Sequence, residues 1–358
     1  MPSPNPPVGA VDSAAPDRAA LVDQLLGREL PGRQRRLLVE ILTTAAAMGD
    51  DDVDLLDLKI TAAALAEMRT AFNAFKPYRD EPKVTIFGSA RTRPDDPLYA
   101  QARAVAEALA ERGWMVVTGA GPGIMAAAAE GAGRERSFGI NIRLPFEQEP
   151  NPILAGDVKL ISMKYFFTRK LMLMKESCAF VCLPGGFGTL DEMFELLTLV
   201  QTGKGEPVPI VFLETPGDCY WDRATAFMRD ELVDRGLIEA SDLGLFFVTE
   251  DVQEAVAEIE RFYCNFDSLR FVGDVLVLRL RHAPSDAQLA ELNLRFGHLA
   301  PSGGIERTPP LRDEVNDDDK LALPRLRLRF TRRRYGELRQ LIDALNVSGS
   351  TGGAAQSS

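Results

Sequence analysis

The stretch Ala179-Phe180-Val181-Cys182-Leu183-Pro184-Gly185-Gly186-Phe187-Gly188-Thr189-Leu190-Asp191-Glu192 carries the fold in miniature. Five apolar residues, 179–183, have the length and composition of a buried strand, and Pro184 ends it. Glycines follow, and from Leu190 to about residue 202 the apolar positions recur at helical spacing. A strand, a glycine turn and a helix form the unit from which parallel sheets are wound, and the turn falls at the carboxyl edge, where ligands bind. Gly185, Gly186, Gly188 and Thr189 offer backbone N–H donors and a hydroxyl at a helix start, whose dipole suits a phosphate.

The same unit recurs on both sides of this stretch. Val84 to Phe87 is a short apolar run ending in Gly88-Ser89, followed by a helical pattern from Pro97 to Arg112. Trp114 to Thr118 ends in Gly119-Ala120-Gly121-Pro122-Gly123 and leads into a helix from Ile124 to Gly131. Further strands are predicted at 138–143, 158–162, 209–213 and 245–248, with helices at 166–177, 221–235 and 251–263. The expected fold class is α/β, a doubly wound parallel sheet of the Rossmann type, over residues 81–266. Residues 1–18 are Pro/Ala-rich and read as disordered, and 19–80 as a helical N-terminal extension. A small α+β C-terminal module is expected at 267–346: a strand from Phe271 to Arg281, a helix from Ser285 to Phe296, a loop over 300–320, a strand at 322–330 and a helix at 332–345. Residues 347–358 read as a flexible tail.

Composition narrows the chemistry. With a net charge of -11 the chain lacks the positive field that non-specific nucleic-acid binding needs. No run approaches the roughly 18 uninterrupted apolar residues of a membrane helix, and Met1 to Pro16 lacks the features of a signal peptide, so a cytoplasmic protein is expected. The four cysteines form no C-x-x-C pair and read as buried free thiols. Only His282 and His298 are present, which argues against a Ser-His-Asp triad or a histidine-rich metal centre in the first 280 residues. No metal or cofactor is expected.

Two readings compete at the central motif. Thr189-x-x-Glu192 has the spacing of a capping box, in which each side chain satisfies the other's backbone N–H. A carboxylate beside a phosphate turn would be repelled by its ligand, however, so its presence suggests a second task. Arg169 and Lys170 lie near the start of the preceding helix, where cations oppose the dipole. A helix start and the end of the next strand share one sheet edge, so Arg169 and Glu192 can converge on one pocket. Phosphate donors, an arginine and one carboxylate suit cleavage of an N-glycosidic bond through an oxocarbenium-like transition state. The turn Gly119, Gly121, Gly123 has neither Rossmann dinucleotide spacing nor the Walker lysine, and is compatible with close packing of helix on strand as well as with a ligand. Tyr165, Phe166 and Phe167 could stack a base, with core packing the preferred reading. Arg325, Arg327 and Arg329 alternate onto one strand face, with Arg332, Arg333 and Arg334 behind them. A solvated face paired with acids is preferred there over an anionic effector site or an interdomain contact.

Phe167-Thr168-Arg169-Lys170 followed by Pro184-Gly185-Gly186-Phe187-Gly188-Thr189-Leu190-Asp191-Glu192 resembles the R-K … P-G-G-x-G-T-x-x-E signature of the Lonely Guy (LOG) family. Gly88-Ser89, Gly119 to Met125 and Leu199-Val200-Gln201-Thr202-Gly203 are similar to it too. Gly139 to Ile142 with Leu144-Pro145-Phe146-Glu147-Gln148 resembles its longer bacterial branch. The resemblance, over about residues 80–265, implies a phosphoribohydrolase that frees base and ribose 5-phosphate from nucleoside 5′-monophosphates such as AMP or cytokinin precursors. It implies catalytic roles for Arg169 and Glu192. Substrate and phosphate binding would fall to Gly88, Ser89, Gly119, Gly121, Gly123, Lys170, Gly185, Gly186, Gly188 and Thr189. It also implies a homodimer or larger homo-oligomer. The family's older label of lysine decarboxylase finds no pyridoxal phosphate lysine here. A nucleotide or cofactor carrier on the same fold is the alternative, since a phosphate grip alone does not establish turnover.

Overall fold

The computed structural model describes residues 31–143 and 151–350, and the chain divides into two compact units between Ala66 and Glu67. The first contains helix α1 (Gly32–Asp50) and most of α2 (Leu55–Phe75). The second opens with the last turns of α2 and is built on a seven-stranded sheet. Its strands are β1 (Lys83–Phe87), β2 (Met115–Thr118), β3 (Ser137–Ile142), β4 (Leu160–Met163), β5 (Ala179–Cys182), β6 (Ile210–Leu213) and β7 (Phe247–Thr249). All are parallel, in the order β4-β3-β2-β1-β5-β6-β7.

Alternate residues of each strand feed two cores, which is why the strands read as unbroken apolar runs. Val84, Ile86 and Val181 pack with α3 (Pro97–Glu111), α4 (Ile124–Arg136) and α8 (Val252–Phe262). Phe87, Phe180 and Phe212 pack with α5 (Phe166–Lys175), α6 (Phe187–Gln201) and α7 (Tyr220–Phe227). The chain lays down β1 to β4 in one direction, then crosses back to place β5 against β1 and continues the other way. The crevice at the carboxyl ends of β1 and β5 is therefore the topological switch point.

A second, antiparallel sheet follows: β8 (Phe266–Val272), β9 (Val275–Leu280), β10 (Glu306–Arg307) and β11 (Arg325–Leu328), in the order β10-β11-β9-β8. With α9 (Asp286–Phe296) and α11 (Tyr335–Ser350) it encloses its own core of Leu276, Leu278, Leu292, Leu326, Leu338 and Leu341, and α10 (Arg312–Asn316) meets the sheet through Glu314, paired with Arg279. The expected single strand at 271–281 is a hairpin, turned at Gly273-Asp274 with Gly273 at φ +63°. Strand β10 and helix α10 occupy the expected loop 300–320, and α11 continues through residues 347–350 of the expected tail. The helix from Ile124 extends to Arg136 across a break at Gly133. Helix α7 gives way to a π-helical stretch, Met228–Val233. Two cysteines, Cys219 and Cys264, are exposed, against the expectation of burial; all four are free thiols.

The second sheet is locked to the first through polar contacts in apolar surroundings. Asn346 on α11 donates to the Phe262 carbonyl (2.6 Å) and accepts from the N–H groups of Asn265 (3.1 Å) and Phe266 (2.8 Å). Arg339 pairs with Glu258 and lies over the Phe262 ring, 4.6 Å from its centroid. Gly203 at φ +69° accommodates the Tyr335 hydroxyl, which a Cβ there would displace. Truncating Asn346 strands a buried carbonyl and two buried N–H groups. Asn346→Ala is expected to lower unfolding free energy by about 3 kcal/mol, measured by urea denaturation; a loss under about 1 kcal/mol would show that the three bonds do not hold the helix.

Candidate active site

Three glycine turns meet at the switch point. After β1, the Ser89 N–H donates to the Pro184 carbonyl (3.2 Å) and the Ser89 carbonyl accepts from the Ile124 N–H (3.0 Å). Gly123, at φ +67°, lies so close that a Cβ would overlap the Ser89 carbonyl oxygen. Gly88 is packed against Ile124, and Gly185 against Thr189 and Ser89. Gly121 faces Met125. These four glycines are closely packed, whereas a Cβ at Gly186 or Gly188 would meet open space. The open pair sits at the start of α6, where the first N–H groups have no intrahelical acceptor.

The helix begins at Phe187 with Gly186 as its N-cap, and no side chain caps it. Thr189 is therefore already inside the first turn and Glu192 lies one turn further on. The capping-box reading fails. The Glu192 carboxylate is instead buried at the carboxyl edge of the sheet, 8% exposed, and its Oε2 has no hydrogen-bond partner among the described residues.

Arg169 reaches it from α5. Its Nε donates to the Ile140 carbonyl at the end of β3 (2.9 Å), and its Nη1 stands 3.7 Å from Glu192 Oε1. That separation permits attraction without a formed hydrogen bond. The guanidinium fills the space that a side chain at Gly119 would take, so the second glycine turn serves to seat Arg169. Burial raises the Glu192 pKa to about 7, against the opposing pull of Arg169 and Lys170. Burial likewise pulls Arg169 below its ordinary value, with Glu192 opposing.

Lys170 turns elsewhere. Its ammonium binds Glu195 Oε2 (2.6 Å) and Asp191 Oδ2 (2.8 Å), tying α5 to α6. Burial works against its charge, but the hydrogen bonds to Asp191 and Glu195 hold its pKa above the ordinary value. Ser89 Oγ accepts from the Arg91 N–H (3.1 Å). The aromatic residues do not pack into the core: Phe166 and Phe167 are both exposed, with Tyr165 stacked on Phe167 at 5.5 Å. The arginines of 325–334 mostly meet acids, Arg327 with Glu306, Arg329 with Asp274 and Arg334 with Glu337, while Arg325 is buried against Glu314. Leu144 to Gln148 lie outside the described residues.

Sequence reasoning missed two supporting side chains. Buried Glu67, from α2, accepts from the Lys164 N–H (2.6 Å) and the Thr168 hydroxyl (2.7 Å), pinning the start of α5 just before Arg169. Tyr220 donates to the Gly185 carbonyl (2.7 Å) and braces the glycine turn after β5. Glu67 precedes its partner Thr168 by 101 residues, in a segment whose periodicity showed only a helix.

Fold and site define a doubly wound α/β protein with a buried carboxylate and an arginine at its topological switch point. Residues 123–259 match the family described as possible lysine decarboxylase. Cytokinin riboside 5′-monophosphate phosphoribohydrolase LOG7 of Arabidopsis thaliana is 30% identical over 114 residues, 32% of this chain and 50% of that protein. Probable cytokinin riboside 5′-monophosphate phosphoribohydrolase LOG6, also of Arabidopsis thaliana, is 29% identical over 140 residues, 39% of this chain and 66% of that protein. The chain thus spans about half to two thirds of the length of these curated relatives. Over this segment the α/β domain is similar to the Lonely Guy family. Among solved structures, the molybdenum cofactor carrier protein of Chlamydomonas reinhardtii is 25% identical with a TM-score of 0.35, covering 51% of this chain and 97% of that one.

The buried carboxylate has a measurable cost. In the unfolded chain Glu192 ionises near its ordinary 4.5, and in the fold near 7. As pH rises through that window the unfolded state loses its proton first, so stability falls, by on the order of 3 kcal/mol once pH exceeds 7. The isosteric Glu192→Gln removes the charge. Its melting temperature is expected to match wild type near pH 4.5 and to exceed it by several degrees at pH 8. A difference that does not grow with pH would contradict a buried, ionised Glu192.

Proposed function

We propose that this protein hydrolyses the N-glycosidic bond of nucleoside 5′-monophosphates, of the AMP or cytokinin riboside monophosphate class, to free base and ribose 5-phosphate. The observation that carries this reading is the Glu192 carboxylate, buried with an unpartnered oxygen beside Arg169 and next to an uncapped helix start. The substrate's 5′-phosphate would sit on the N–H groups at Gly186 to Thr189, with Gly185 and Ser89 shaping the cradle. Phosphate anchoring orients the sugar with binding energy remote from the reacting centre.

As the C1′–N bond breaks, its electron pair leaves with the base, and positive charge builds on the ribose ring. Ionised Glu192 stabilises that charge and takes a proton from the water that attacks C1′, while the departing base is protonated from solvent. Arg169 orients substrate and lowers the Glu192 pKa toward the working range, opposing burial. The similarity to LOG7 and LOG6 over the shared segment supports this chemistry. The exposed Phe166, Phe167, Leu171 and Phe187 on α5 and α6 support self-association into at least a homodimer.

The direct test is incubation of the purified protein with a panel of nucleoside 5′-monophosphates, measuring free base and ribose 5-phosphate. Wild type is expected to release both, and Glu192→Ala to be slower by at least about 100-fold. Nucleotide binding without release by wild type would favour a carrier instead. Because the ionised carboxylate is the active form, kcat/KM is expected to rise with pH through an apparent pKa of about 7. A profile that falls over that range would assign Glu192 the role of acid rather than base.

A further inference from the structure

A cleft of about 990 Å³ opens at the amino edge of the main sheet, the edge opposite the glycine turns. Its floor is set by Lys83 at the start of β1, Trp114 just before β2 and Cys178 just before β5. Phe72 and Phe75 of α2 form one wall, and Tyr263, Arg281 and Lys320 reach it from the other side. The volume is that of a small-molecule site. It belongs to neither the candidate active site nor the core of the second sheet.

Two features of the lining select a ligand. Aromatic faces come from three directions, with Trp114 and Tyr263 6.3 Å apart between centroids and Phe72 44% exposed. Charge is biased against the character of the whole chain. Six cationic side chains line the cleft against four acidic ones, in a protein of net charge -11. Much of the acidic complement is already engaged: Glu176 with Lys175, Asp267 with Lys320, and Glu81 with Arg136 outside the cleft. The Lys83 ammonium is buried under the Tyr78 and Glu81 carbonyls (2.5 and 2.8 Å). Among the described residues Lys76 and Arg79 have no acidic partner within ion-pair distance, and Arg281 donates through Nε to the Tyr263 carbonyl. Asp80 is the one lining acid without an ion pair among the described residues, so Lys76 and Arg79 leave a net positive rim above the aromatic walls; such a rim fits a flat ring bearing a negative group, which stacks on the walls and meets the cations.

We propose that this cleft is a second binding site, for a small planar aromatic anion such as a ring-bearing carboxylate, sulfonate or phosphate. The test uses the full chain and 1-anilinonaphthalene-8-sulfonate as probe, with naphthalene supplying the ring alone and sulfate the anion alone. Calorimetry is expected to give one site for the probe and much weaker binding of either control. Hydrogen exchange followed by mass spectrometry is expected to show protection at 76–83 and 175–178. The double variant Lys76→Ser, Arg79→Ser should weaken the probe by about tenfold or more, while Glu192→Ala leaves its affinity unchanged. Three outcomes would overturn the proposal: no binding, protection confined to other segments such as the exposed Phe166-Phe167 surface, or equal affinity in the double variant. None of them bears on base release, so the two readings stand or fall separately.

Discussion

The backbone of one residue, Ser89, holds the carboxyl edge of the sheet together. Ser89 donates its N–H to the Pro184 carbonyl and accepts the Ile124 N–H on its own carbonyl, so the turns after β1, β2 and β5 are parts of one hydrogen-bonded unit. Gly123 must lack a side chain because the Ser89 carbonyl occupies the place of its Cβ. With the turns fixed, the vacancy at Gly119 is fixed too, and the Arg169 guanidinium fills it. The Arg169–Glu192 separation of 3.7 Å is thus framed by the hydrogen-bonded turns and by the Ile140 carbonyl of β3, which holds Arg169 Nε. A site built in this way holds its charges in place without reorganisation.

The two neighbouring cations on α5 show how helix geometry divides labour. Successive residues point about 100° apart around a helix. Arg169 accordingly faces the sheet edge and the Ile140 carbonyl, while Lys170 faces α6 and its Asp191 and Glu195 carboxylates. Asp191 and Glu195 flank Glu192 in sequence but are drawn off by Lys170 on the outer side. Glu192 is left as the inward carboxylate, and Glu67 secures the turn from which Arg169 departs.

Much of this was legible in the sequence, because it rests on short-range pattern. Apolar runs ending in glycine marked β1, β2 and β5, and alternation of strand and helix implied the parallel sheet; the convergence of Arg169 and Glu192 followed from chain direction, since a helix start and the end of the next strand share one sheet edge. What escaped has physical reasons. The start of α6 was misplaced by three residues because Phe187-Gly188 lacks helical propensity, and only the tertiary seat of the glycine turn brings them into the helix. That shift turned an apparent capping box into a buried carboxylate. Strand β10 and helix α10 are too short and polar for periodicity to register; α10 is held by Glu314, buried against Arg279 and Arg325. The exposure of Phe166 and Phe167 could not be read from composition, since an apolar residue on a helix fits core and surface pattern alike.

The energetics of Glu192 favour a functional origin for these departures from local rules. A helix start with T-x-x-E could have capped itself and gained on the order of 1 kcal/mol. Closing the 3.7 Å gap to Arg169 would have satisfied both charges in an environment where burial penalises each. Neither happens: the helix start stays open at Gly186 and Gly188, and one carboxylate oxygen stays buried without a partner among the described residues. Stability alone selects against both features. They are accounted for together if an anionic group occupies the helix start and an electron-poor or proton-bearing group meets the free oxygen, because each then supplies the partner that the fold withholds. A phosphorylated sugar passing through a cationic transition state carries both groups on one molecule.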